Sequence, residues 1–329
     1  MESAKPQALA YVPDPDDLTT IERDLKFHPA MTQEPKALSL SQLAHYNQHG
    51  YIRPVPIFTD DEISALRARF DEVLTHTLAS GGSSYSIATA HRKHAFVYDI
   101  LKHPKIIAAV CDILGPDVIG WGAHFFCKMP HDGKKVDWHQ DAVFWPLTPS
   151  KTVTVWLAID DADPENANMR FIPGSHRHGP VMHLPSSAAE DNILNLKIEN
   201  AEQFGDAPVD DSLKAGEASL HSDLLLHGSE PNTSGRRRCG LTLRYCAAEV
   251  KAHLGWDDKG ILVAGEDRAG MVVLFVKTAW GRFLRNFSPR FGDSVDSVSG
   301  AQLRFFLGLG ITHGTRRSSV VDLSRRSVT

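Results

Sequence analysis

Apolar positions recur at helical spacing in three stretches of the first third of the chain. Ser39 and Gln42 have the spacing of a capping box. They predict a short helix through Leu43 and Tyr46 that stops at Gly50. Thr59-Asp60-Asp61-Glu62 is a second such box, with acids where the helix dipole favours them. The helix it opens carries Ile63, Leu66, Phe70, Val73 and Leu74 on one face and ends at Gly81-Gly82. A third helix runs from Pro104 through Ile107, Val110 and Leu114 to Gly115.

From Val118 the period shortens. Runs rich in β-branched and aromatic residues follow at 118–129, 136–144, 152–159, 169–172, 217–226 and 239–247, separated by turns such as Asp163-Pro164-Glu165-Asn166. Many short strands after a run of helices predict a mainly β domain with flanking helices, a sandwich or jelly roll. The stretch 186–213 is polar, acidic and without period, which fits either a lid or a plain surface insertion. The boundaries expected are an extension over 1–38, the domain over 39–267 and a further extension over 268–329. The last combines an apolar patch at Val272–Val276 with Arg282, Arg285 and Arg290, and reads as a packed helix or a loose tail.

Composition narrows the class. With 329 residues, 42% of them hydrophobic and 23% charged, the chain can bury a large core. A formal charge of −5, with no basic run before Arg236–Arg238, gives nucleic acid little to bind. Cys111, Cys127, Cys239 and Cys246 have no paired spacing, which points to a reducing, cytoplasmic setting. The start of the chain lacks the pattern of a signal peptide, and the apolar runs 271–276 and 305–311 are too short to span a bilayer.

The candidate chemistry centres on Val136-Asp137-Trp138-His139-Gln140-Asp141. On a strand, alternation aims His139 and Asp141 the same way. Imidazole plus carboxylate suits a divalent metal. Far downstream, His227 offers a third ligand, and Arg236-Arg237-Arg238 follows it after a turn. Two histidines and a carboxylate form a facial triad that leaves open positions on iron. An arginine can fork onto the far carboxylate of a chelating co-substrate. Together they describe an Fe(II)/2-oxoglutarate oxygenase.

Further residues carry a family resemblance. His139-Gln140-Asp141, Trp156-Leu157-Ala158-Ile159-Asp160-Asp161, Arg170-Phe171-Ile172-Pro173-Gly174-Ser175-His176, Ala215-Gly216-Glu217 and His227-Gly228-Ser229 occur in that order, followed by Asn232, Ser234 and Arg238. The pattern, spanning about 38–267, resembles the phytanoyl-CoA dioxygenase family. That resemblance implies a double-stranded β-helix (jelly-roll, cupin-like) enzyme using Fe(II), with 2-oxoglutarate and O2 as co-substrates and a small-molecule substrate. It makes His139, Asp141 and His227 the iron ligands and Arg238 the clamp on 2-oxoglutarate. It sets Trp156 and Ser229 along the co-substrate pocket, and Gln140 either against the co-substrate or orienting its neighbours. His124 falls near another co-substrate contact. In the family's halogenating members a small residue replaces the carboxylate, so Asp141 favours hydroxylation.

Competing readings remain at this point. His221-Ser222-Asp223 is a second His-x-Asp. His176 and His178 follow a turn, where a polar loop role is the simpler reading. Arg236 shares the strand parity of Arg238, and only the family spacing separates them. Phe144 and Trp145 are either pocket rim or ordinary core. Without a bound dicarboxylate, the same triad would serve a jelly-roll hydrolase or isomerase. Without iron, the fold would be a small-molecule-binding protein.

Overall fold

A computed structural model gives the structure of residue 13 and of residues 15–256, 260–267, 274–277 and 283–286. Both capping boxes form. Ser39 and Gln42 exchange hydrogen bonds at the start of helix α1 (Leu40–His49), and Gly50 closes it at φ 88°, a left-handed conformation that glycine adopts without strain. Thr59 and Glu62 do the same for α2 (Asp60–Ala79). Helix α3 (Ala95–Leu101) has no side-chain cap, and α4 (Pro104–Leu114) starts on its proline.

Ten strands make up two sheets. They are β1 (Tyr51–Pro56), β2 (Val118–Lys128), β3 (Val136–His139), β4 (Thr152–Ala158), β5 (Met169–Phe171), β6 (Val209–Asp211), β7 (Glu217–Ser222), β8 (His227–Ser229), β9 (Arg238–Ala247) and β10 (Ile261–Ala264). The major sheet runs β1-β7-β4-β9-β2-β10 and the minor sheet β3-β8-β5-β6, with the described pairings antiparallel. This is the expected jelly roll.

Alternation divides each long strand between two environments. On β9, Leu241, Leu243 and Tyr245 face the helices and join Phe70, Val97, Leu101 and Val110 in one core. Phe70 is fully buried and stacks on Phe125, with ring centroids 4.5 Å apart. The opposite parity of β9 carries Arg238, Gly240, Thr242 and Arg244 toward the minor sheet. Trp156 and Ala158 of β4 pack there with Met169 and Phe171 of β5.

Two predicted strands end early, and each break positions a candidate ligand. The run expected over 136–144 stops at His139, and Asp141–Phe144 forms a 3-10 turn. Three bonds bend it: the Ala142 amide donates to Asp223 O, and the Arg23 guanidinium donates to Ala142 O and Trp145 O. Gln140 stays extended, so alternation still carries through to Asp141. The run expected over 217–226 is strand only to Ser222. A turn closed by Leu225 N donating to Ser222 O then passes the chain to the minor sheet, where His227 begins β8.

The segment before α1 is tied to the domain. The backbone amides of Lys36, Ala37 and Leu38 all donate to the buried Asp112 carboxylate, at 2.8–3.1 Å. Asp112→Ala strands these donors, so a loss of about 2–3 kcal/mol is expected, read as a lower midpoint in urea unfolding. At the other end, Leu274–Lys277 pairs antiparallel with Phe283–Asn286, so strands occupy ground where a helix or loose tail was expected. Arg282, Arg290 and the serine-rich end lie outside the described residues. Among the described residues no helix is long and apolar enough to cross a membrane.

Candidate metal centre and cavity

His139 ends β3 and His227 starts β8, and the two residues are direct cross-strand partners. Their rings lie 4.0 Å apart between centroids. Asp141 Oδ1 is 3.8 Å from His139 Nε2. Ligand atoms of His139, Asp141 and His227 all fall within 4.8 Å of one another, and no other group of this kind occurs among the described residues.

Hydrogen bonds fix the donor set. His139 Nδ1 lies 2.9 Å from Asp137 O, and His227 Nδ1 lies 3.0 Å from Leu225 O. A carbonyl oxygen only accepts, so each Nδ1 carries the hydrogen and each Nε2 keeps its lone pair for a metal. Burial, reinforced by His227, holds His139 well below the ordinary imidazole pKa and keeps it neutral. Thr154 Oγ1 donates to Asp141 Oδ2 at 3.2 Å, leaving Oδ1 toward the histidines. Two imidazoles with Nε2 turned to one point, together with the Asp141 carboxyl group, suit ferrous iron.

The triad opens into a cleft between the sheets, lined by aromatic and apolar side chains with a few polar and charged groups among them, the make-up of a small-molecule site. At its far end Arg238 is buried beneath Trp156, with the guanidinium carbon 5.6 Å from the ring centroid. The guanidinium donates to Ala167 O at 2.9 Å and to Ser229 Oγ at 3.3 Å, and no carboxylate lies within ion-pair distance among the described residues. Burial lowers its pKa, yet a guanidinium stays charged. A buried cation without an anion is costly, and the described residues place no carboxylate beside this one.

Gly240 makes room for the Trp156 wall. A Cβ there would sit 2.0 Å from Trp156 Cζ2. Trp156 is itself buried and has little room to yield. Gly240→Ala is therefore expected to cost about 1–3 kcal/mol of stability and to shift tryptophan emission, checked by thermal unfolding and fluorescence.

The other candidates separate cleanly. Gln140 is turned away from the cleft: its amide nitrogen donates to Gly179 O and Leu224 O, and its oxygen accepts from Val181 N. His124 does not line the cleft either; it stacks on Phe126, with Nε2 3.0 Å from Tyr85 O. Arg236 pairs with Asp163 and Glu165 at the surface, and Arg237 pairs with Asp160 and Asp71. Asp223 accepts from Ser150, while His221 lines the cleft beside His227. His176 is buried against Phe27 and Asn47 O, outside the cleft. His178 sits by Phe204. Phe144 and Trp145 do line the cleft, joined by Leu194 from the 186–213 stretch.

Among the cleft residues that escaped the sequence reading are Lys128, Tyr85 and Arg244. Lys128 faces Arg238 across the β2–β9 pair and donates to Ser229 O and Glu230 O. Burial and the Arg238 charge bring its pKa down to about 6. Tyr85 donates to Asp132 Oδ2 at 2.7 Å. The usable signal was parity, because Arg238, Gly240, Thr242 and Arg244 alternate with Cys239, Leu241, Leu243 and Tyr245.

Comparisons with known proteins agree with this geometry. Residues 46–240 match the sequence profile of the family described as phytanoyl-CoA dioxygenase (PhyH). The rat protein named phytanoyl-CoA dioxygenase, peroxisomal, is 24% identical over 243 residues, covering 67% of this chain and 72% of that protein. The L-proline trans-4-hydroxylase of Streptomyces griseoviridis is 25% identical over 233 residues, covering 63% of this chain and 85% of that one. Among solved structures, the apo form of ThoJ, described as a non-heme monooxygenase, matches with a TM-score of 0.58 at 29% identity over 68% of this chain and 84% of that one.

Proposed function

The chain belongs to the phytanoyl-CoA dioxygenase family, and from that premise we propose that it is an Fe(II)/2-oxoglutarate-dependent dioxygenase that hydroxylates a small organic molecule. One observation carries the reading: a His-Asp-His set opens into a cleft whose far end holds an unpaired buried arginine. A hydrolase or isomerase would give Arg238 no carboxylate to hold.

When bound, iron and 2-oxoglutarate would supply the oxidising chemistry, with succinate and carbon dioxide as co-products. The chain's own residues bind and orient. His139, Asp141 and His227 would hold the metal, with Asp137 O, Leu225 O and Thr154 fixing their ligand atoms. Arg238 would hold the distal carboxylate with Ser229 Oγ beside it, and the Lys128 amine, held down in pKa by burial and by Arg238, would stand beside them as a further donor. Trp156, Trp145, Phe144 and Leu194 wall the cleft against water. Gln140 acts on its neighbours, pinning the ligand strand to Gly179, Val181 and Leu224. Arg23 likewise clamps the turn that carries Asp141.

The names of the relatives span an acyl-CoA and a free amino acid, so family membership leaves the substrate open. Asp141 stands where a carboxylate is needed for oxygen transfer, which favours hydroxylation over halogenation. We assign the enzyme to the cytoplasm, a reducing compartment in keeping with its four free cysteines.

Ferrous iron and 2-oxoglutarate, added together without oxygen, should give a visible charge-transfer band that neither gives alone. Admission of air with a substrate panel should then release succinate. Protein that shows neither band nor succinate would reject the reading.

A further inference from the structure

Arg244 is a second buried guanidinium in the cleft, and the proposed mechanism leaves it unused. It lies on β9 at the metal end, between Thr154 of β4 and Gly122 of β2. Its side chain is 7% exposed. A Cβ on Gly122 would come within 3.3 Å of Arg244 Cβ, so the glycine leaves the side chain its room. Trp145 and Trp121 hold the guanidinium carbon 5.2 and 6.0 Å from their ring centroids. The residue lines the cleft, and its sealed Nε has no hydrogen-bond partner.

The nearest anion does not satisfy it. Asp141 Oδ2 is 3.9 Å from Arg244 Nε, beyond hydrogen-bond reach, and that oxygen already accepts from Thr154. A divalent cation on Asp141 would neutralise the same charge. The guanidinium would then sit buried, braced by two indoles and without an anion, which favours taking one from the cleft. Across β4, His221 adds two buried ring nitrogens with no partner, in the same cross-strand row as Thr154 and Arg244.

We propose that Arg244 anchors a carboxylate carried by the substrate, so that the enzyme oxidises a small organic acid. The proposal rests on the oxygenase reading, which assigns Arg238 to 2-oxoglutarate. Arg238 and Arg244 are six positions apart on one strand, so their Cα atoms lie ~20 Å apart, with Asp141 of the triad 3.9 Å from the Arg244 guanidinium. Each cation therefore serves its own end of the cleft. Trp145, Phe144 and Leu194 next to Arg244 suit an apolar body on the acid.

The test is calorimetric titration of aryl and alkyl carboxylic acids, each paired with its primary amide. It uses full-length protein loaded with Fe(II) and 2-oxoglutarate under argon, and is repeated on metal-free protein. Wild type should bind at least one acid on the order of 10- to 100-fold more tightly than its amide. Arg244→Gln should erase that preference, Arg244→Lys should keep part of it, and both should hold 2-oxoglutarate within about threefold of wild type. If no acid outbinds its amide on wild type, the proposal fails. It also fails if Arg244→Gln weakens 2-oxoglutarate and spares the acids, because the carboxylate read is then the co-substrate's. If acids and amides weaken together with loss of iron, Arg244 only positions Asp141. Thermal melting of both variants confirms that they fold. The metal-free arm should show a weaker acid preference, because Asp141 then keeps its charge beside Arg244; failure of the oxygenase reading shows up separately, as wild type that does not bind 2-oxoglutarate in its own titration.

Discussion

His227→Ala should lose turnover by about 10³-fold or more while melting within a few degrees of wild type. Loss of a residue that merely supports a metal ligand commonly costs 10- to 100-fold, so removing a ligand should exceed that. The ring has one nitrogen bonded to Leu225 O and the other facing His139 and Asp141, so alanine removes one of the three donors outright. The fold does not lean on this side chain. Its backbone still pairs β8 with β3 and β5, and the ring's neighbours are His139 and His221 at the cleft wall. Iron content by metal analysis, succinate release and thermal melting separate the two effects. His139→Ala and Asp141→Ala should behave alike. Full iron occupancy with normal turnover in any of them would remove that residue from the ligand set.

How early each part of the site could be read depended on how local its cause is. The capping boxes at Ser39 and Thr59 were legible because a helix start is decided within a few residues. Helix α3 was not, since neither His94 nor its flanks cap it with a side chain; it forms because Val97, Ile100 and Leu101 are buried on the sheet. The His139–Asp141 spacing was legible, although for a partly mistaken reason. Asp141 comes from a turn bent by Arg23 and Asp223, both remote in sequence. Parity could not separate Arg236 from Arg238. The structure does, because β9 begins at Arg238 and leaves Arg236 outside, facing Asp163 and Glu165. Lys128 and Arg244 were hidden among apolar neighbours on strands buried on both faces, where hydropathy averages away a single inward cation.

Arg238→Gln should raise the 2-oxoglutarate concentration needed for half-maximal rate by about 10²-fold and change the saturated rate little. Removing one partner of a buried charge pair costs about 3–5 kcal/mol, which is about 10² to 4 × 10³ in affinity. The lower end is expected here because Lys128 remains. In wild type, burial and the Arg238 charge hold the Lys128 ammonium down to about 6. Deleting that guanidinium lets the Lys128 pKa rise, so more of it is charged at neutral pH and part of the lost attraction returns. The sign of the pH effect follows. 2-Oxoglutarate stays a dianion above about pH 5, whereas Lys128 gains its charge as pH falls, so binding to Arg238→Gln should tighten from pH 8 toward pH 6. Lys128→Met alone should weaken the co-substrate less than Arg238→Gln does, and the double variant should lose more than the sum of the two, because the compensating Lys128 charge, which faces Arg238 across β2 and β9, goes with it. Calorimetric titration across that pH range gives all of these values. Wild-type affinity in Arg238→Gln would show that the carboxylate is held elsewhere, and the buried guanidinium would then need a different anion.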